Sequence, residues 1–251
     1  MRILFLGDIY GEKAIDVLAN ELPKIKNDYK INIVLANAEN AYRGRGLSKE
    51  NYDKLMKMQI SMLTLGNHAF SNSKIKDFIN DANIVRPANF TTNYGVGYKE
   101  LRYNDKKLII VNMLGRIFND MALDCPFKTM DNILKNTSAD YYIVDFHGDA
   151  TSEKLAFAFN YSEKLAAVVG THTHVQTADE RLINNMLYIS DVGMCGPRDG
   201  IIGSSREQII ERFKTGIYTP ASVMDGITQI NAVVIDLNNI KNKIERIHLE
   251  F

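Results

Sequence analysis

Asp8, Glu39, Asn40, Asn67, His68, His147, His172 and His174 are the side chains of this sequence whose types suit metal ligation. With His68 set aside they make two carboxylates, three imidazoles and two carboxamides, more N/O donors than one tetrahedral ion takes. Two ions accommodate them better. Cations roughly 3.5 to 4 Å apart stabilise both the attacking and the departing oxygen of an in-line phosphoryl displacement. His172 and His174 stand two apart, and on an extended segment such residues point to the same side, so one can serve each ion. A donor set of imidazole and oxygen without thiolate suits iron, manganese or zinc, and not calcium. Cys125 and Cys195 are isolated and form no CxxC spacing, which argues against a thiolate site and a disulfide framework.

Each of these donors follows an apolar run. Arg2 to Gly7 reads as a buried strand ending in Gly7-Asp8, Ile31 to Asn37 leads to Ala38-Glu39-Asn40, and Ser61 to Leu65 leads to Gly66-Asn67-His68. Tyr141 to Phe146 delivers His147-Gly148-Asp149, and Ala166 to Gly170 delivers Thr171-His172-Thr173-His174. Helical spacings lie between these runs. The first covers Glu12 to Leu22, after which Pro23 is expected to kink or end the helix. Ser48 is placed to cap a helix reaching Met58, and further helices are expected near Met130 to Leu134, Ser152 to Phe159 and Ser205 to Phe213. Asn93 to Asn112 reads as two strands turned at Asn104-Asp105, and Leu187 to Ser190 as one more. Asn231 to Leu237 and Ile244 to Leu249 form a closing hairpin turned at Asn238-Asn239. Strands alternating with helices specify an α/β fold, in which the C-terminal ends of parallel strands share one edge and can bring distant residues together.

The chain has 251 residues, 45% hydrophobic and 24% charged, ordinary globular values that disfavour disorder, collagen-like structure and long coiled coil. No linker or internal repeat interrupts the pattern, so a single domain over residues 1–251 is expected. With 30 Lys+Arg against 30 Asp+Glu there is no long-range attraction to nucleic acid or anionic membrane, and RNA as a partner finds no support. The run from Met1 to Asp8 is too short for a secretory signal, no stretch approaches a membrane span, and the end at Phe251 has no lipidation box. A cytoplasmic location without membrane association is expected. Gly7 to Gly11 lacks the GxGxxG spacing and no P-loop motif occurs, which removes dinucleotide and P-loop chemistry.

The order Gly-Asp, Glu-Asn, Gly-Asn-His, His-Gly and Gly-Thr-His-Thr-His, continued by Asp191-Val192-Gly193-Met194, resembles the calcineurin-like metallophosphoesterases. It is more similar still to the bacterial YmdB-type phosphodiesterases that act on cyclic nucleotides, and the resemblance covers nearly the whole chain. It implies a sandwich of two β-sheets flanked by helices. It also implies that Glu39 bridges two ions, with Asp8, Asn40 and His174 completing one coordination shell and Asn67, His147 and His172 the other. His68 is then not a ligand but faces the scissile phosphate, as an orienting group, a transition-state donor or a general acid. Some positions depart from the wider superfamily. Asp8-Ile9-Tyr10 stands where Asp-x-His is usual, with Asn40 as the replacement ligand; Glu39 stands for the commoner Asp, Ala69 for Glu and Cys195 for Thr.

On this reading the chain is a metal-dependent phosphoric diester hydrolase holding two divalent or mixed-valence ions, with iron or manganese favoured over zinc. A hydroxide bridging the ions attacks phosphorus in line with the leaving oxygen. The resemblance points to 2′,3′-cyclic nucleotides, with 3′,5′-cyclic ones as a second substrate. A phosphomonoesterase or protein phosphatase with the same site, and a metal-binding regulatory protein, are the alternatives; a homo-oligomer is compatible with the sequence. No residue is assigned to substrate binding. Gly44-Arg45-Gly46 reads as a flexible connection in preference to a phosphate-contacting loop; Arg43, Arg45, Arg116 and Arg198 read as solvated, with contact to substrate phosphate or base as the alternative, and Cys195 as lining the pocket without a nucleophilic role. Of the five histidines, His248 alone is read as structural.

Overall fold

Ile3, Leu4, Phe5 and Leu6 are all fully buried, so the first strand is covered on both faces. The computed structural model, which describes residues 1–238 and 241–251, shows what covers it. Its elements in chain order are β1 (Arg2–Leu6), β2 (Asp8–Ile9), α1 (Glu12–Asp28), β3 (Ile33–Asn37), α2 (Lys49–Lys57), β4 (Met62–Thr64), β5 (Ile84–Val85), β6 (Tyr98–Tyr103) and β7 (Lys106–Leu114). There follow α3 (Pro126–Asn136), β8 (Tyr141–His147), α4 (Thr151–Tyr161), β9 (Ala167–Thr171), β10 (Arg181–Ile183), β11 (Met186–Ile189), β12 (Met194–Pro197), α5 (Arg206–Thr215), β13 (Thr228–Asp236) and β14 (Lys243–Glu250).

One sheet runs β2-β12-β13-β1-β3-β4-β5, with β14 also paired to β13; β1, β3, β4 and β5 are mutually parallel. The other runs β10-β11-β9-β8-β7-β6, parallel from β11 to β7 and closed at each edge by an antiparallel strand. Side chains alternate along each strand, and the alternation sorts them into layers. Ile3, Phe5, Ile33 and Leu35 meet Leu108, Ile110, Ile143 and Val169 between the sheets. Leu4, Leu6 and Val34 face outward onto Leu18 and Leu22 of α1 and Leu55 of α2. Ile109, Val144 and Val168 face outward onto Met130 of α3 and Phe157 and Tyr161 of α4. The result is the expected α/β sandwich of two sheets between helices.

Several elements differ from the sequence reading. Pro23 does not end α1, because Leu22 and Ile25 extend its buried stripe to Asp28, and the carbonyl that Pro23 cannot bond belongs to Ala19 on the solvent side. Ser48 does cap α2, accepting from the Asn51 N–H at 3.1 Å. Helix α3 is longer than its apolar core suggested and starts with Pro126 at the first turn. Strands β2, β5, β10 and β12 are two to four residues long, too short for periodicity to reveal. The β13–β14 hairpin is present; Asn239 of its expected turn lies outside the described residues. Among the described residues no helix is long and apolar enough to cross a membrane.

Candidate metal centre

Parallel strands of both sheets deliver their C-terminal ends to one place. His147, the last residue of β8, is fully buried, and its Nε2 lies 3.0 Å from Glu39 Oε1, 3.0 Å from Asn67 Oδ1 and 2.9 Å from His172 Nδ1. Beside this group sits a second one, in which His174 Nε2 is 3.2 Å from the Asn40 carboxamide and 3.8 Å from Asp8 Oδ1. Glu39 joins the two, since Asn40 Nδ2 donates to its Oε1 at 3.4 Å. The structure thus brings together the seven residues expected as ligands, in two adjoining clusters.

Each histidine has its far nitrogen tied down. Thr171 Oγ1 donates to Asp145 at 2.6 Å and so accepts from His147 Nδ1 at 2.8 Å. His172 Nε2 is 3.2 Å from Asp149 Oδ2, and His174 Nδ1 donates to the Ile202 carbonyl at 2.8 Å. All three rings therefore turn their remaining nitrogen towards the carboxylates, which is how proteins present imidazole to a metal. Asp8 Oδ1 is buried without a hydrogen-bond partner, a costly state that a cation would relieve. Burial pushes the Asp8 carboxyl up, against the pull of His174 and His147. Burial acts the same way on Glu39, yet His147 and the His68 N–H, 2.8 Å from Oε2, hold it down at about 2. Gly66 permits this crowding: a Cβ there would stand 2.3 Å from the His147 ring and 2.5 Å from Glu39 Oε2.

His172 and His174 do not lie on an extended segment, as their spacing suggested. Strand β9 ends at Thr171, and the two residues take φ values of 108° and 66°, in the left-handed region that non-glycine residues avoid. The curl sends one ring to each group. Three bonds hold it: His172 N–H to Asp8 Oδ2 at 3.1 Å, Thr173 N–H to Asp191 Oδ2 at 2.9 Å, and Lys154 Nζ to the Thr171 carbonyl at 2.9 Å. Lys154 and Asp191 are both fully buried and pair at 3.1 Å. Under the centre, Asp145 accepts from Thr64, Thr171 and Asn37, and burial pushes its carboxyl up to about 6. None of Asp145, Asp149, Lys154 and Asp191 was singled out as a site residue from sequence. The signal for Asp145 and Lys154 was a charge inside an otherwise apolar strand or helix stripe.

His68, whose N–H donates to Glu39, lines a cavity of about 610 Å³ together with Glu39, Asn40, His172 and His174. Its Nδ1 is 3.4 Å from Ser71 Oγ, which accepts from Arg45 Nε at 3.2 Å. The Gly44-Arg45-Gly46 segment is a bonded turn, with Arg45 N–H to the Tyr42 carbonyl and Tyr42 N–H to the Gly46 carbonyl, both at 2.9 Å. That turn places Arg43 and Arg45 on the cavity wall, where both remain exposed. Arg198 instead pairs with Glu250 at 2.7 Å, away from the cavity. Cys195 is buried, donates to the Asn231 carbonyl, and does not line this cavity; burial pushes its thiol up to about 12.

Residues 4–249 match the model of the YmdB-like protein family. The chain belongs to that family. A relative from Bacillus subtilis (strain 168), named 2′,3′-cyclic-nucleotide 2′-phosphodiesterase, is 43% identical over 98% of this chain and 96% of its own length. A solved structure described as a novel phosphatase from Mycoplasma pneumoniae superposes with a TM-score of 0.94 at 35% identity, covering all of this chain and 93% of that one. A 5′-nucleotidase structure from Staphylococcus aureus shares the fold, with a TM-score of 0.63 at 16% identity, over 99% of this chain and 54% of its own.

Proposed function

We propose that residues 1–251 act as one catalytic domain, a metal-dependent phosphodiesterase that hydrolyses 2′,3′-cyclic nucleotides at a two-ion centre. The observation that carries this reading is the arrangement of His147, His172 and His174, each anchored through one nitrogen and offering the other beside buried carboxylates. Glu39 with Asn67, His147 and His172 would hold one ion, and Glu39 with Asp8, Asn40 and His174 the other; iron or manganese suits these donors better than zinc. When bound, such ions supply an activated water and hold the charge that develops on the phosphoryl oxygens. Glu39, held in its ionised form by His147 and the His68 N–H, would contribute its charge to both. His68, set in the cavity beside the donors, donates a hydrogen bond to a phosphoryl or leaving oxygen, and Arg45 steadies it through Ser71. The name of the Bacillus relative supports the 2′,3′-cyclic substrate, and 3′,5′-cyclic nucleotides are a second candidate.

Elemental analysis of protein purified without chelator, joined to a cyclic-nucleotide hydrolysis assay, tests the reading. About two ions per chain together with turnover is expected; turnover in metal-free protein would overturn it, and bound metal without turnover of any phosphoester would make the chain a regulatory protein. His68→Ala should keep its metal and lose about 100-fold or more, mostly in kcat. Loss of metal in that variant would make His68 a ligand. Gly66→Ala, by wedging His147 from Glu39, should lower metal content and cost about 100-fold in rate, checked by the same two measurements. The Mycoplasma structure's description as a phosphatase favours a phosphomonoesterase as second reading, and paired nitrophenyl mono- and diester substrates separate the two.

A further inference from the structure

The cavity above the ligand groups continues onto a wall that no catalytic role uses. Ile209, Arg212 and Phe213 of α5, with Tyr218 and Ala221 beyond it, line the same space as Glu39, His68 and His174. Its volume of about 610 Å³ lies within the range of small-molecule sites. Residues 209, 212 and 213 share one side of the helix by their spacing, and that side is the one facing the cavity. No residue of α5 is buried, and Phe213 is 81% and Tyr218 61% exposed, so two large rings stand in solvent at the mouth of the site. Grouped at the mouth of one cavity, the two rings form an exposed apolar patch of the kind that lines binding grooves.

The chemistry of the wall is narrow. The Arg212 guanidinium lies 4.7 Å from the centroid of the Tyr218 ring and has no carboxylate partner among the described residues, unlike Arg198 and Arg246. Glu39 and Asp149 are the acidic residues of the cavity, and both stand beside the ligand groups rather than on this wall. Arg43 and Arg45 make no ion pair among the described residues either, so the way in is cationic. A ligand matched to these features has an anionic phosphate at one end and a flat π-system at the other. A lipid chain has no use for planar cation and ring faces, whereas a nucleobase stacks on both.

Resting on the phosphodiesterase reading, we propose that Phe213 and the stacked Arg212–Tyr218 pair form the nucleobase-binding wall of the substrate site. The wall offers mainly faces to the base, since Ile209, Phe213 and Ala221 carry no hydrogen-bonding side-chain group and only the Arg212 guanidinium and the Tyr218 hydroxyl could reach an edge. Purines are therefore preferred to uracil for their larger faces.

The test compares adenosine 2′,3′-cyclic phosphate with the base-free methyl riboside 2′,3′-cyclic phosphate. Phe213→Ala and Tyr218→Ala each remove an exposed ring. Each should lower the ratio of kcat/KM for the adenosine substrate over the base-free one by about tenfold, through KM. A ratio that stays put overturns the proposal, and if the variants then also sediment as a smaller species the face belongs to a second copy of the chain. Should the intact protein cleave neither compound, the phosphodiesterase reading fails separately. The wall is then judged by equilibrium binding of adenosine 3′-monophosphate, where tenfold weaker binding by Phe213→Ala supports it and unchanged binding overturns it.

Discussion

Glu39→Gln should fold normally, bind metal poorly and lose more than the roughly 100-fold that removal of an outer partner costs a metal site. The amide has the shape of the carboxylate but neither its charge nor its acceptor symmetry. One Glu39 oxygen faces His147 Nε2 at 3.0 Å and Asn40 at 3.4 Å, while the other accepts the His68 N–H at 2.8 Å. Whichever way the Gln amide turns, its NH₂ meets either the His68 N–H, donor against donor, or the groove where an ion would bridge. The substitution also removes one of two negative charges, leaving Asp8 to balance the ions. Elemental analysis and cyclic-nucleotide turnover measure both losses, and a circular dichroism spectrum like that of the parent shows that the fold is kept. Full metal content with full rate would remove Glu39 from the bridging position.

Lys154→Met should destabilise the chain by about 3–5 kcal/mol, because it strands Asp191 as an unpaired buried charge. In a chain of this length that is a fall in Tm of roughly 6–20 °C. Lys154 also donates to the Thr171 and Ser190 carbonyls at 2.9 and 2.8 Å, so the variant leaves these acceptors bare as well. The same substitution frees the curl that carries His172 and His174, whose left-handed backbone costs on the order of 1–3 kcal/mol per residue to hold. Metal content should therefore fall with Tm. A thermal melt within about 2 °C of the parent would show that the pair does not hold the loop.

The convergence of these side chains was legible in sequence because each follows a strand, and parallel strands gather such ends without any need to know the loops. Asp8, Glu39, Asn67 and His147 are positioned by this rule alone. His172 and His174 were found by the same rule, but not their geometry, since a left-handed curl leaves no trace in a Thr-His-Thr-His string. Asp145 and Lys154 were passed over because strand and helix patterns are read from their apolar members, and a buried charge counts there only as noise. Pro23 misled in the opposite direction: a missing bond on the solvent side is tolerated when the buried face continues. Helix α5 was visible as a helix, but which of its faces meets the cavity depends on chain packing far from it.

Each ligand group draws on both sheets: Glu39 and Asn67 follow β3 and β4 while His147 and His172 follow β8 and β9, and Asp8 and Asn40 of the first sheet face His174 of the second. Neither sheet alone brings these donors together, so on the proposed two-ion reading neither half of the chain would hold an ion as the whole does. On that reading catalysis would inherit the cooperativity of folding, because the centre exists only where the two sheets are packed together.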